Sequence, residues 1–321
     1  MSNTESSIQP GPVALDIDRC EVPIRTVGPF KKSVRRRMSA GTLVLIGLIQ
    51  LLVVVSAVNA SSQLTPRQRE EPPQQQPQQN LAAAGNYTTA ERQQALAEAI
   101  DEFRTENGDI DVSLAISIAG TELTYGDDAA METASAVKLE ILVRWLALRQ
   151  DGALPQDELG LARDMITNSS NDATNALCTK IAGIGHEVTV PGGTNACVDD
   201  SLWGMDETTA SDALRVVDAA FGDELLTRES RGLVRELTGS ITPEQAWGVS
   251  SAANEDEAVY LKNGWDARDN GWVAHSVGLI QDDQPLRIAV LTDRNDDFDS
   301  GVTHVERLAE LARQAAQGTP Q

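Results

Sequence analysis

The chain has 321 residues, of which 41% are hydrophobic, and a formal net charge of −22 at pH 7. This length allows two domains, or one large domain with extensions, and the apolar content is sufficient for a sizeable core. The acidity excludes a sequence-independent grip on nucleic acid, which needs a basic surface to displace the counterions of the phosphates. Nucleic acid is therefore not an expected partner.

The N-terminal part predicts a membrane anchor. Residues 1–40 have no apolar periodicity, carry several prolines and end in a cluster of Lys and Arg, which indicates a disordered cytoplasmic tail. The uncharged apolar run 41–60 is long enough to span a bilayer, and the preceding positive charges predict an outward C-terminus. Residues 61–85, rich in Pro and Gln, predict an extended linker. We expect a single-pass cell-membrane protein with an extracytoplasmic C-terminal domain, although Val58-Asn59-Ala60 resembles a signal-peptidase site and leaves cleavage near Ala60 open.

Residues 86–321 carry the patterns of a folded domain. A helical pattern opens at Thr89, and Val112–Ile118 alternates as a half-buried strand does, with 121–125 able to pair back across Gly120. Helical patterns then occur at 136–150, 156–166, 171–182, 209–221 and 223–238, strands at 258–262, 272–280 and 286–293, and a last helix at 299–316. This order predicts an α+β fold: an antiparallel sheet flanked by helices, with an all-helical insert between its two parts and one transmembrane helix before it.

The cysteines lie on both sides of the apolar run. Cys20 precedes the run, whereas Cys178 and Cys197 follow it and would share an oxidising compartment. An even pair in such a compartment predicts a Cys178–Cys197 disulfide. Two buried free thiols are the alternative.

The first motif that can carry chemistry is Ser135 followed by Lys138 at an apparent helix N-terminus. Positions i and i+3 share a helix face, so the hydroxyl would lie beside the ammonium group. A serine hydroxyl becomes a good nucleophile only when a nearby base takes its proton, and a lysine is such a base only if its pKa is lowered. By itself the spacing fits equally a Ser N-cap followed by a solvated Lys.

Two further motifs follow along the chain. Ser169 and Asn171, at the mouth of a helix, can place a hydroxyl and an amide in one cleft, or Ser170 or Asn171 can simply be an N-cap. Lys262 and Gly264, at the end of a strand-like run, would put a cation and a close backbone approach at a sheet edge. The alternative is an edge strand protected by a Lys and ended by a Gly turn.

Taken together, the order Ser-x-x-Lys, Ser-x-Asn, Lys-x-Gly resembles the signature set of the serine β-lactamases and penicillin-binding proteins. The sequence around these motifs is similar to that family as well, in the segments TASAVKLEIL, MITNSSNDATNAL, DETTASDAL and LKNGW followed by GWVAHSVGLI. The resemblance runs from about Asp111 to Leu311. The resemblance implies that Ser135 is the acylated nucleophile, Lys138 its base and Ser169 a proton relay. It also implies that Asn171 contacts a substrate amide and that Lys262 steers a substrate carboxylate.

The strand after the insert completes the implied site. By resemblance, Gly264 lets the substrate approach, and the backbone N–H groups of Ser135 and Trp265 form an oxyanion hole. Asn263 stands where the family usually has a Thr or Ser that bonds the substrate carboxylate, and it is expected to contact the substrate there. Ser170 stands where the family often has Asp.

The loop before the Thr-Thr segment departs further from the family. Class A enzymes carry a Glu and an Asn there, which hold the deacylating water, and the segment 183–207 contains no Glu-x-x-x-Asn. An acyl-enzyme on Ser135 is therefore expected to be long-lived, and rapid sustained turnover would instead indicate Glu187 or Glu207 as a displaced base.

The expected function is that of an extracytoplasmic serine hydrolase or acyltransferase. Its substrates would be β-lactams or D-Ala-type peptidoglycan peptides, and the alternative is a catalytically weak or inactive envelope binding module of the same fold. No cofactor or metal is expected, because His186, His275 and His304 are scattered without metal-ligand spacing. The sequence does not identify a protein partner.

Overall fold

The computed structural model describes residues 87–127, 129–184, 188–198 and 202–318. The predicted tail, apolar run and linker lie outside these residues, as do His186 and Glu187. Within the described ranges, none of the helices is both long enough and apolar enough to cross a bilayer.

The domain is built on one five-stranded antiparallel sheet. Its strands are β1 (Asp111–Ile118), β2 (Thr121–Tyr125), β5 (Ala258–Arg268), β6 (Gly271–Gln281) and β7 (Leu286–Asn295). They lie side by side in the order β2-β1-β7-β6-β5. Two short strands, β3 (Met131–Glu132) and β4 (Glu207–Thr208), pair with each other outside this sheet and were not predicted. Because β5 is an edge strand, one side of its backbone is free to face a neighbouring element.

Helices cover both faces of the sheet. The terminal helices α1 (Thr89–Asn107) and α7 (Phe298–Gln317) share one apolar core with the sheet. The second core lies between the other face and the insert, whose helices are α2 (Lys138–Arg149), α3 (Gln156–Thr167), α4 (Asn171–Ala182), α5 (Ala210–Phe221) and α6 (Arg228–Thr238). The predicted α+β architecture with a helical insert is confirmed.

Strand β1 lies in the middle of this sandwich. Leu114 and Ile116 point into the core of the terminal helices, whereas Ala115 points into the core of the insert. The expectation of a half-buried strand is therefore wrong: residues 112–116 are all buried, because each face of the sheet has its own helical layer.

Two predicted boundaries are also corrected. Strand β5 does not end at Lys262 but continues to Arg268, since Gly264 and Trp265 pair in register with His275 and Ala274 of β6. The Asn-Gly pair that indicated a turn thus lies inside a strand. Helix α6 begins at Arg228 rather than near 223, because Thr227 caps it.

Candidate active site

Ser135 lies in the turn that joins the short strand β3 to helix α2. Residues 134–137 form a single 3₁₀ turn, and Lys138 is the first residue of α2. Ala134 has a left-handed φ of 44°, an uncommon conformation for a residue with a side chain. Ser135 is half-buried while its neighbours Ala134 and Ala136 are buried, so this turn presents one hydroxyl.

Lys138 places its amine against that hydroxyl. Its Nζ lies 3.0 Å from Ser135 Oγ, 2.7 Å from the backbone oxygen of Ser169 and 2.7 Å from Asn171 Oδ1. The carbonyl and amide oxygens can only accept, so they occupy two of the N–H groups. A neutral amine then has one lone pair left for the Ser135 hydroxyl proton, which is the arrangement that a general base requires.

Ser169 lies between helices α3 and α4 and belongs to the same cluster. Its φ of 56° is left-handed, and Ser170 next to it is the N-cap of α4, with Oγ accepting from the Ala173 N–H. The predicted capping role therefore belongs to Ser170, which leaves the Ser169 and Asn171 side chains free to contact Lys138. Strained residues of this kind persist where the surrounding structure fixes them, and they are frequent in active sites.

Lys262 reaches the cluster from strand β5. Its Nζ donates to Ser169 Oγ at 3.0 Å and to the Asn263 backbone oxygen at 2.7 Å. Since Lys138 Nζ also lies 3.2 Å from Ser169 Oγ, one hydroxyl lies between two amine groups. The structure thus brings together Ser135, Lys138, Ser169, Asn171 and Lys262.

Both lysines are fully buried, and neither forms a salt bridge within the part of the chain that the structure describes. Their hydrogen-bond partners among the described residues are all uncharged. Burial lowers the pKa of Lys138 from 10.5 to about 7. Burial, together with the charge of Lys138, holds the pKa of Lys262 well below its usual value. The Lys138 amine can therefore gain and lose its proton near neutral pH.

The edge strand β5 packs directly on the turn of the nucleophile. A Cβ at Gly264 would lie 2.5 Å from the Ala136 nitrogen and 3.0 Å from the Ser135 nitrogen, so only glycine fits there. This contact puts the Gly264–Trp265 backbone beside Ser135, where the predicted oxyanion hole would be. The Trp265 ring centroid lies 6.0 Å from Lys262 Nζ.

Asn263 does not join the cluster, contrary to the prediction that it contacts substrate. Successive side chains of a strand point to opposite faces, so Asn263 points away from Lys262 and Gly264. Its buried Nδ2 donates to the backbone oxygens of Gln245 (2.8 Å) and Trp247 (3.1 Å). The side chain therefore anchors the segment before β5.

The segment 188–198 is attached to the insert by a disulfide and a buried carboxylate. Cys178 of α4 and Cys197 form the predicted disulfide, with a Cα–Cα distance of 4.9 Å. Glu140 of α2 accepts from the backbone N–H groups of Thr194 (2.8 Å) and Ala196 (3.2 Å). Its side chain also pairs with Arg144 at 2.8 Å.

Two of these neighbours could not be identified from motifs. Glu140 belongs to the apolar helical pattern of α2, and nothing in the pattern says that its carboxylate is buried. Trp203 lies with its ring centroid 5.0 Å from Lys138 Nζ, on a segment that the sequence presents only as a polar loop. An isolated Trp beside Gly204 in such a loop is the one available signal.

The described residues offer no obvious base for deacylation. Glu207 is exposed on β4 opposite Glu132, and Glu187 lies outside the described residues. No cluster of three or more His, Cys, Asp or Glu side chains suited to a metal ion occurs in the described part of the chain.

Comparison with known proteins identifies the family. Residues 157–316 match the model of the Beta-lactamase enzyme family, a range that includes Ser169 and Lys262 and begins after Lys138. None of the curated proteins matches the chain.

Several solved structures share the fold. The chain is similar to the structure of PBP-A, with 18% identity and a TM-score of 0.56 over 71% of this chain and 96% of that chain. It is similar to a class A β-lactamase from Bacteroides cellulosilyticus, with 13% identity and a TM-score of 0.56 over 71% and 99% of the two chains. It is also similar to a class A β-lactamase from Mycobacterium abscessus, with 16% identity and a TM-score of 0.54 over 67% of this chain and 97% of that chain. The chain therefore belongs to the β-lactamase enzyme family, a family of serine hydrolases, and it shares its fold with PBP-A and with class A β-lactamases.

Proposed function

We propose that the domain is a serine acyltransferase or hydrolase that acts on β-lactams or D-Ala-type peptidoglycan peptides through an acyl intermediate on Ser135. The observation that carries this proposal is the 3.0 Å contact between Ser135 Oγ and the buried amine of Lys138, whose remaining partners are acceptors. A serine beside a solvated lysine would have no such activation.

The cluster contains a complete path for the proton. As Ser135 Oγ attacks the substrate carbonyl carbon, its O–H bond breaks and an N–H bond forms on Lys138. Lys138 passes a proton to Ser169 Oγ, 3.2 Å away, while the Ser169 hydroxyl proton goes to the leaving nitrogen as the C–N bond breaks. The Ser135 proton thus ends on the leaving group, and the acyl group remains on Ser135.

The charge of the cluster favours an anionic substrate. Two lysines share Ser169 Oγ, and their partners among the described residues are uncharged. A carboxylate near Lys262 would supply the missing counterion and hold that lysine protonated, which in turn favours the neutral amine of Lys138. β-Lactams and peptides that end in D-Ala both carry a carboxylate close to the amide that is cleaved.

A covalent-label experiment tests the acyl intermediate. The purified full-length chain is incubated with a fluorescent penicillin and analysed on a denaturing gel, beside Ser135→Ala and Ser170→Ala. Wild type and Ser170→Ala should be labelled, since Ser170 only caps α4, and Ser135→Ala should not. Absence of label on folded wild type would exclude acylation by β-lactams and favour the binding module of the same fold.

The acyl-enzyme should be long-lived. Deacylation by water needs a general base, and in the described part of the chain no carboxylate bonds to Ser135 or Lys138. Loss of a general base costs about 10²–10⁴-fold in rate. With nitrocefin we expect a stoichiometric burst followed by a slow phase. Sustained rapid turnover would contradict this expectation and direct attention to Glu187 or Glu207.

We also propose that the domain is extracytoplasmic and tethered by residues 41–60. The apolar run and the basic residues before it support this topology, and the Cys178–Cys197 disulfide fits an oxidising compartment. An alkaline phosphatase fused after residue 85 should be active, because that enzyme needs an oxidising environment. Activity only from a reporter that requires the cytoplasm would contradict the topology.

A further inference from the structure

Trp203 covers the base of the candidate site. Its ring centroid lies 5.0 Å from Lys138 Nζ, and its Nε1 donates to Asn175 Oδ1 at 2.8 Å. Lys138 is fully buried although it lies beside the half-buried Ser135 and Ser169 and the exposed Asn171. Something apolar must therefore exclude water from the amine, and the Trp203 ring is in contact with it.

The ring is fixed by helix α4. Asn171, Asn175 and Cys178 are spaced i, i+4 and i+7, so they share one face of that helix. Asn171 bonds to Lys138, Asn175 to Trp203, and Cys178 to Cys197. A single helical face thus holds both the lysine and the ring above it.

The backbone just before the nucleophile holds the segment that carries the ring as well. The Ala134 N–H donates to the Gly204 oxygen and the Thr133 N–H to the Asp206 oxygen, each at 2.9 Å. Gly204 has a φ of 91°, a conformation that side-chain-bearing residues rarely adopt. The segment 202–206 is therefore tied to the turn that carries Ser135, and Trp203 moves with the site.

We propose that Trp203 is a positioning residue that keeps bulk water off Lys138 and thereby maintains the lysine as the base for Ser135. The proposal rests on the proposed function. An apolar ring excludes water from the neutral amine, and its face attracts the ammonium ion that forms when the Ser135 proton arrives. Burial lowers the pKa of Lys138 to about 7, which is the direction that exclusion of water favours.

Charged groups on the surrounding elements do not account for this environment. They include Lys262 of β5, Glu140 of α2, Asp164 of α3, Asp172 of α4 and Asp206 of the segment 202–206. Glu140 is bonded to Arg144, and among the described residues none of the carboxylates forms a salt bridge with Lys138.

The test compares four substitutions of Trp203 in the full-length chain. Trp203→Phe and Trp203→Leu keep an apolar cover, whereas Trp203→Ala and Trp203→Gln let water or a polar group reach the amine. The acylation rate with nitrocefin is measured across pH, with Trp272→Ala as a control that lies outside the cluster. For Trp203→Ala and Trp203→Gln we expect the acidic limb of the profile of acylation rate against pH to move up by about one pH unit or more. The acylation rate at pH 7 should then be roughly tenfold lower than in wild type. Phe, Leu and the control should keep the wild-type limb.

A direct titration separates this proposal from the proposed function. In protein labelled with ¹⁵N-lysine, the Lys138 Nζ resonance should titrate near neutral pH in wild type and at higher pH in Trp203→Gln. If that shift occurs and no β-lactam acylates wild type, the proposal that Trp203 keeps water off Lys138 is supported and the proposed acyl transfer from β-lactams is refuted. If acylation occurs but Trp203→Gln and Trp203→Leu both keep the acidic limb of wild type, the proposed role of Trp203 is refuted. Failure of Trp203→Ala to fold leaves the Gln and Leu pair decisive.

Discussion

Lys138 and Glu140 lie two residues apart on helix α2, but the partners of their charged groups differ. Both side chains are buried, with exposed fractions of 0% and 2%. Glu140 has an opposite charge in Arg144 and accepts two backbone N–H groups from the segment 188–198. Lys138 has four neutral oxygen atoms within hydrogen-bonding distance.

The difference separates a structural charge from a reactive one. A buried charge with a partner and satisfied hydrogen bonds holds two parts of a fold in place. A buried amine without a counterion loses its preference for the charged form, so it can accept and return a proton. The same helix turn thus attaches the segment 188–198 through Glu140 and places the buried amine of Lys138, the base in the proposed mechanism, beside Ser135.

Replacing Lys138 should produce the largest effect, and on activity alone. Lys138→Met removes the base, and we expect acylation by a fluorescent penicillin to slow by about 10²–10⁴-fold. The free energy of unfolding should change by less than about 1 kcal/mol, because the substitution removes the hydrogen bonds of the amine together with the cost of burying it. Labelling kinetics and urea unfolding on the same preparation measure the two quantities. A large loss of stability would show that Lys138 is structural as well.

Replacing Glu140 should have the opposite outcome. Glu140→Gln leaves Arg144 buried without its partner, which costs about 3–5 kcal/mol in the free energy of unfolding. Urea unfolding measures the loss. The double variant Glu140→Leu with Arg144→Met is the control and should be less destabilised than Glu140→Gln, because no unpaired charge remains. Equal stability of wild type and Glu140→Gln would refute the structural role of this pair.

The disulfide should contribute a somewhat smaller stabilisation. It joins residues 19 positions apart, and closing a loop of that length stabilises the fold by about 3 kcal/mol in the chain-entropy model. The double variant Cys178→Ala with Cys197→Ala should lose about this amount in thermal or urea unfolding, and Cys20→Ala should lose none. Two free thiols in exported protein, seen by mass spectrometry, would contradict the bridge.

The dependence of stability on pH should show the smallest effect. The pKa of Lys138 is about 7 in the folded chain and 10.5 when unperturbed, so between these values the unfolded state binds more protons. Stability must then rise with pH in this window, by about 2 kcal/mol from pH 7 to pH 9 for a full shift. Wild type is compared with Lys138→Met, which should show a smaller rise. Parallel curves would mean that Lys138 is not desolvated.

The sequence by itself determined the fold class and named most of the residues that the candidate site brings together. Apolar periodicity located the sheet and the helical insert, because the spacing of buried residues follows the geometry of each element. Ser135 and Lys138 could be paired from their i, i+3 spacing, since a helix turn fixes that distance locally. The Cys178–Cys197 disulfide followed from the even pair of cysteines beyond the apolar run.

Only the tertiary structure decided what surrounds these residues. Packing of β5 against the nucleophile turn requires Gly264 and continues the strand past Lys262, and strand alternation turns Asn263 away from the cluster. The burial of Lys138 lowers the pKa of its amine, and the Trp203 ring lies 5.0 Å from that amine. These features depend on contacts between segments far apart in the chain, and local periodicity contains no information about which side chains meet or how much water remains between them.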